Sequence, residues 1–273
     1  MHDYLKQCIR SLSDFWQCDP RATAFSVNGS GGRGTDDEWS DADVLLVVGD
    51  EYYRSVRNEM REHMQNLCGG IRIWLPEGEA DRYINYAFLF EKDGEQFLFD
   101  HALFCESWIG EYYTDAGEIL FDKSGALTAA SLRYKERKPW FDATAIPGLI
   151  DKYLLYAYIN GKYYRRRDYI KMQYLQNTLK DIHLQIMQAV HNETPLSGWW
   201  CADIRNFSTE QREVIMLYAS APDCNGAAHN VIRELACFCR DAEVACSNTG
   251  FTYPKENELY VLRQLKDAGL PVV

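Results

Sequence analysis

The chain has 273 residues, 47% of them apolar, and a formal net charge of −11. That is enough for one large domain or two ordinary ones with a real core, and it excludes a disordered or low-complexity protein. No apolar run approaches the ~20 residues that span a bilayer, and the opening Met-His-Asp-Tyr-Leu-Lys lacks the pattern of a signal peptide, so a cytoplasmic protein without a membrane partner is expected. Nine cysteines are an odd number with no Cys-x-x-Cys pair, and Cys237-Phe238-Cys239 has no matching second half, so reduced thiols are expected rather than a disulfide or zinc framework. Residues 1–140 carry 15 Lys+Arg against 25 Asp+Glu, nearly the whole charge excess. An acidic half disfavours nucleic acid and suits a small cationic substrate.

In chain order, Leu5, Cys8, Ile9, Leu12, Phe15 and Trp16 form one stripe at helical spacing, which predicts a helix over 2–16. Ala22–Val27 reads as a strand that enters a loop with four glycines, at 29, 31, 32 and 34. A second apolar run, Val44–Val48, reads as a strand buried on both faces. Asp50 is the expected N-cap of a helix over 51–67, with Tyr53, Val56, Met60, Met64 and Leu67 inward and Gly69-Gly70 at its end. A short strand Ile71–Leu75 and a loop Pro76–Glu79 follow.

Asn85–Glu91 and Gln96–Phe104 form a hairpin signal around Lys92-Asp93-Gly94-Glu95. A short helix over Ser107–Tyr113 and a strand leading into a turn over Ile119–Gly125 are then expected. The charged, proline-punctuated stretch from Lys135 to Gly148 divides the chain into domains 1–140 and 141–273. Beyond it the period is helical: one helix through Ile150, Leu154, Tyr158 and Ile159 to Gly161, a longer one from Tyr169 to Val190, and others near 208–220, 225–247 and 256–267. Trp199-Trp200-Cys201 is expected to be buried. The outline is α+β: a mixed β-sheet domain with flanking helices, followed by a C-terminal helical bundle.

The chemistry gathers around the glycine loop. Asp41 and Asp43 stand two apart at the start of a strand, so both project from one face, roughly 6–7 Å apart along the chain. That spacing suits a shared divalent cation. Glycines upstream let backbone N–H groups approach a phosphate. Asp100 lies within the apolar run Phe97–Phe104, where an unpaired carboxylate would be costly. Glu106 follows as that run ends, and an exposed acid at a helix start explains it equally well. Arg33 suits either a phosphate or solvent, and the run Arg165-Arg166-Arg167 reads first as a solvated face. His101, His183 and His191 read as satisfied polar residues.

Gly29-Ser30, Asp41-x-Asp43 and Asp100 together resemble the signature of the nucleotidyltransferase superfamily in its antibiotic-modifying branch. Two relatives share the likeness. The interval from Ser30 to Ser40-Asp41, the step from Phe99-Asp100 to Glu106, and Leu175-Gln176-Asn177-Thr178-Leu179 resemble the lincosamide nucleotidyltransferases. Asn28-Gly29-Ser30, Asp100-His101-Ala102-Leu103-Phe104, Phe121-Asp122-Lys123 and Gly250-Phe251-Thr252-Tyr253-Pro254 resemble the streptomycin (aminoglycoside 6-) adenylyltransferases.

The resemblance implies a nucleotidyltransferase-type first domain. It implies Mg²⁺ on Asp41 and Asp43, with Asp100 as a third ligand, and ATP or another nucleoside triphosphate held by Gly29, Ser30 and Arg33. The reaction implied is transfer of AMP to a hydroxyl of a small basic antibiotic, with pyrophosphate released. A lincosamide ranks ahead of an aminoglycoside as acceptor. A non-catalytic nucleotide-binding protein of the same fold is the remaining alternative. The general base is Glu106 on the lincosamide pattern, and Asp100 is the third catalytic carboxylate on the streptomycin pattern. The lysine that the lincosamide pattern places before Asn-Thr-Leu is Gln176 here, with Lys171, Lys180 or Arg167 as substitute cations. A homodimer with a shared site is also implied.

Overall fold

The order of apolar runs and turns in the first half builds one six-stranded mixed sheet. The structure, a computed structural model, describes residues 1–111, 117–136, 142–191, 207–219 and 221–272. The chain divides into two compact units, Met1–Arg137 and Lys138–Val273.

In the first unit, helix α1 (Asp3–Cys18) leads into β1 (Ala22–Val27). A single helical turn, α2 (Gly29–Gly32), stands where a loop was expected, and β2 (Ala42–Val48) follows. Next come α3 (Tyr53–Cys68) and the strands β3 (Ile71–Ala80), β4 (Tyr83–Lys92) and β5 (Glu95–Cys105). Helix α4 (Glu106–Glu111), β6 (Glu118–Asp122) and α5 (Ala126–Glu136) complete the unit. The sheet order is β3-β4-β5-β2-β1-β6. β2 and β5 run parallel and every other neighbouring pair is antiparallel.

Strand alternation decides which face each residue serves. Ala42, Val44, Leu46 and Val48 of β2 and Phe99, Leu103 and Cys105 of β5 join the core built by Leu5, Leu12 and Trp16 of α1 and Val56, Met60 and Met64 of α3. The alternate residues Leu45, Val47 and Phe104 pack on the other face with Ile109 of α4 and Leu127 and Ala130 of α5. Asp41, Asp43 and Asp100 belong to this second face by the same alternation, at the start of β2. The two short helices cover the far end of these strands.

Several expectations shift. Phe15 is 46% exposed and lies against the His63 ring at a tilt rather than joining the core. Asp50 begins a 3₁₀ turn (Asp50–Tyr52), and its carboxylate accepts from the Ser107 N–H at 3.0 Å, capping α4 instead of α3. β3 runs through Pro76 to Ala80, because an edge strand can spare the missing N–H and a register shift at Glu77/Glu79 absorbs the bend. Helix α5 has little apolar periodicity and was not anticipated. The Asp93-Gly94 turn has positive φ at both residues, 54° and 86°, as a two-residue hairpin connection requires.

The second unit is helical in its described residues. It comprises α6 (Ile146–Arg165), α7 (Tyr169–His191), α8 (Thr209–Leu217), α9 (Cys224–Thr249) and α10 (Lys255–Asp267). Pro147 sits in the first turn of α6, where its missing N–H costs nothing. Gly161 does not end that helix. A Cβ there would lie 3.1 Å from Leu265 and 3.3 Å from Ala268, so glycine lets α10 pack closely. The core carries a polar chain: the Tyr153 and Tyr218 hydroxyls lie 2.7 Å apart, and His183 joins Tyr218 at 2.8 Å and Asp241 at 3.0 Å. Trp199-Trp200-Cys201 lie outside the described residues. None of the described helices is long and apolar enough to cross a membrane.

Candidate active site

Parallel pairing of β2 with β5 sets Asp43 directly beside Asp100. Asp41, two residues earlier on the same face, completes a group in which one carboxylate oxygen from each residue lies within 4.8 Å of the others. It is the only group of three or more His, Cys, Asp or Glu side chains among the described residues that could hold a metal ion. The eight described cysteines are free thiols.

The glycine turn is locked onto this group from the β1 side. The Asn28 N–H donates to the Asp43 carbonyl at 2.8 Å, and the Gly32 N–H to the Asn28 carbonyl at 2.7 Å. Gly29 has φ +55°, and a Cβ there would fall 1.8 Å from an Asp43 carboxylate oxygen. Only glycine allows the turn to lie that close. Gly32 is constrained from the other side, since its Cβ would meet the Val27 carbonyl at 2.1 Å. Ser30 is half-buried, and its carbonyl accepts from the Thr35 N–H at 3.0 Å. Arg33 is exposed at the end of this turn, close enough for its charge to favour an ionised Asp43.

Electrostatics mark the trio as short of positive charge. Burial, then the neighbouring charges of Asp41 and Asp100, push Asp43 up to about 7 despite Arg33. Asp100 is pushed up to about 6 by burial, with Asp41 and Glu77 adding to it, while a hydrogen bond from Asn85 works the other way. Burial raises Asp41 as well. Three carboxylates that converge this closely, each made harder to ionise by burial, offer the donor set that a divalent cation takes. All three donors are hard oxygens, and that set fits Mg²⁺.

The remaining sequence candidates fall elsewhere. Glu106 is not brought to the trio. β5 continues to Cys105, opposite Val48, so Glu106 stands six residues past Asp100, roughly 20 Å along the strand at ~3.3 Å per residue. There it heads α4, half-buried, beneath the Asp50 cap. Gln176 is 1% exposed and donates to Glu234 at 3.1 Å, so this position faces the core of its own unit. Of the substitute cations, Lys171 pairs with Asp168 at 3.4 Å and Arg167 bonds Asn225 at 3.3 Å. His101 is not a satisfied histidine. It is fully buried on the α1/α3 face, with neither ring nitrogen bonded among the described residues, and burial pushes it down to about 3.

Asn85 of β4 was missed in the sequence, yet its amide donates to Asp100 Oδ1 at 3.3 Å. The signal was available: a two-residue Asp93-Gly94 turn pairs Lys92 with Glu95 and so fixes Ala87 opposite Asp100, with Asn85 one pleat away.

No family model matches this chain, and no curated protein does. Among solved structures it is similar to the crystal structure of an aminoglycoside 6-adenyltransferase from Bacillus subtilis, at 16% sequence identity and a TM-score of 0.47, over 98% of this chain and 99% of that one.

Proposed function

We propose that the protein is a metal-dependent nucleotidyltransferase that transfers a nucleoside monophosphate, AMP in the first instance, to a hydroxyl of a small cationic acceptor. The observation that carries the reading is the convergence of Asp41, Asp43 and Asp100 beneath a glycine turn that only Gly29 allows to close. Asp41 and Asp43, with Asp100 beside them, would hold Mg²⁺. When bound, Mg²⁺ neutralises triphosphate charge and stabilises pyrophosphate as the leaving group.

The chain's own residues supply the rest. The turn at Gly29-Ser30 offers backbone N–H groups and a hydroxyl to phosphate oxygens, and Arg33 adds a positive charge at its end. Asp100 is the carboxylate we assign to take the proton of the attacking hydroxyl as the new phosphorus–oxygen bond forms and the bond to pyrophosphate breaks. Asn85 holds one oxygen of that carboxylate.

We infer an aminoglycoside ahead of a lincosamide as acceptor. Two features behind the lincosamide ranking weaken: Glu106 heads α4, past the end of β5 far from the trio, and the Gln176 position is buried in the helical core. The third carboxylate of the streptomycin pattern, Asp100, stands within the trio. The acidic first half suits either cationic acceptor.

The test is pyrophosphate release from Mg-ATP against a panel of aminoglycosides and lincosamides. Turnover with an aminoglycoside, abolished by Asp43→Asn, supports the reading. Lincosamide turnover alone would reverse the acceptor. Nucleotide binding without turnover across the panel would favour a non-catalytic nucleotide-binding role.

A further inference from the structure

The three carboxylates are held by different devices. The Gly29 turn packs on Asp43, and Asp41 opens β2 beside it. Asp100 comes from the neighbouring strand, and its direct partner on the β4 side is Ala87, whose methyl group leaves the space beside it open. Into that space Asn85, paired with Ala102 one pleat along, extends its amide diagonally and donates to Asp100 Oδ1 at 3.3 Å. On its other side Asn85 is opposite Glu77 of β3. A neutral amide therefore stands between two acids, where a carboxylate would repel both.

We propose that Asn85 is the positioning residue for Asp100: it occupies one carboxylate oxygen and leaves the other for the shared cation. This rests on the reading of Asp41, Asp43 and Asp100 as a divalent-cation site. Its role runs through Asp100, the carboxylate its amide donates to. Partners of this kind typically change metal affinity by roughly 10- to 100-fold when removed.

The experiment is calorimetric titration of the full chain with MnCl₂ alone, in wild type, Asn85→Ala and Asn85→Thr. The threonine variant keeps a strand-favouring side chain but cannot span to Asp100. Thermal unfolding without metal accompanies each titration. The expected result is an Mn²⁺ dissociation constant raised about 10-fold or more in both variants, with metal-free melting temperatures close to wild type. Wild-type affinity in both variants would overturn the assignment while leaving the cation site standing. A loss of affinity that merely follows a loss of stability would also overturn it. Absence of Mn²⁺ binding by the wild-type chain would remove both the assignment and the reading beneath it.

Discussion

Replacing Gly29 by alanine perturbs the site without substituting a carboxylate. The added Cβ would lie 1.8 Å from Asp43 Oδ2, 2.6 Å from its Cγ and 3.1 Å from its Cβ. The closest of these is 1.2 Å inside the 3.0 Å that real Cβ atoms keep. The carboxylate atoms clear the new methyl only if Asp43 changes rotamer, and the 3.1 Å contact to its Cβ asks for a further small shift. Either the turn lifts or Asp43 leaves the trio. The left-handed backbone adds about 1–2 kcal/mol of strain, and overpacking of this kind costs about 1–3 kcal/mol more. Gly34→Ala is the matched control: its φ is +66°, but nothing lies within 4 Å of the new Cβ, so only the backbone strain applies.

Urea unfolding and Mn²⁺ titration of the two variants separate these terms. Gly34→Ala is expected to lose about 1 kcal/mol and bind metal as wild type does. Gly29→Ala is expected to lose on the order of 2–5 kcal/mol, together with at least 10-fold in metal affinity. Wild-type metal affinity in Gly29→Ala would refute the claim that the turn and the trio form one device.

Other outcomes follow from the same structure. Asp100→Asn is expected to lower turnover by about 10²-fold or more, whereas Glu106→Gln should stay within a few-fold of wild type; steady-state kinetics of both would expose any error in setting Glu106 aside. Burial and neighbouring carboxylates push folded Asp43 and Asp100 up to about 7 and about 6, above their unfolded values, so their contribution to stability is complete below about pH 4 and is lost as pH rises through those values. Mg²⁺ binding the ionised trio offsets that loss, so the rise in melting temperature on adding Mg²⁺ should be larger at pH 8 than at pH 5.5. In the helical unit, burial pushes Glu234 up to about 9, so the folded chain holds a proton there that the unfolded chain releases near its ordinary carboxylate value. Wild-type stability should therefore fall between about pH 4.5 and 9 by up to ~1.4 kcal/mol per unit from this residue. Denaturant titrations of Glu234→Gln across that range should show a shallower slope, and parallel curves would count against a protonated Glu234.

Most of the sheet was legible because its signals are local. The Asp93-Gly94 turn fixes the hairpin, and the unbroken Val44–Val48 run marks a strand buried on both faces. The Asp-x-Asp step and Asp100 could be paired in principle, but the parallel register of β2 and β5 is a non-local fact that no spacing in the sequence encodes. Glu106 lies away from the trio because six residues along a strand keep one face but add distance. Pro76 suggested a loop because its missing N–H matters less on an edge strand, and edge position is a property of the whole sheet. Gly161 looked like a helix end until Leu265 and Ala268 gave it a packing role. The orphaned ring of His101 has no sequence signal at all, and nothing in the structure accounts for it.

The central claim is that Asp41, Asp43 and Asp100 grip one ion-bound nucleotide tail beneath the Gly29 turn. A crystal of the full chain grown with Mn²⁺ and a non-hydrolysable ATP analogue tests it directly through anomalous scattering. The account expects a manganese peak at coordination distance, about 2.0–2.3 Å, from carboxylate oxygens of the trio, with phosphate oxygens against the Gly29-Ser30 backbone. A well-ordered nucleotide and metal bound elsewhere, with the three carboxylates unliganded, would contradict it.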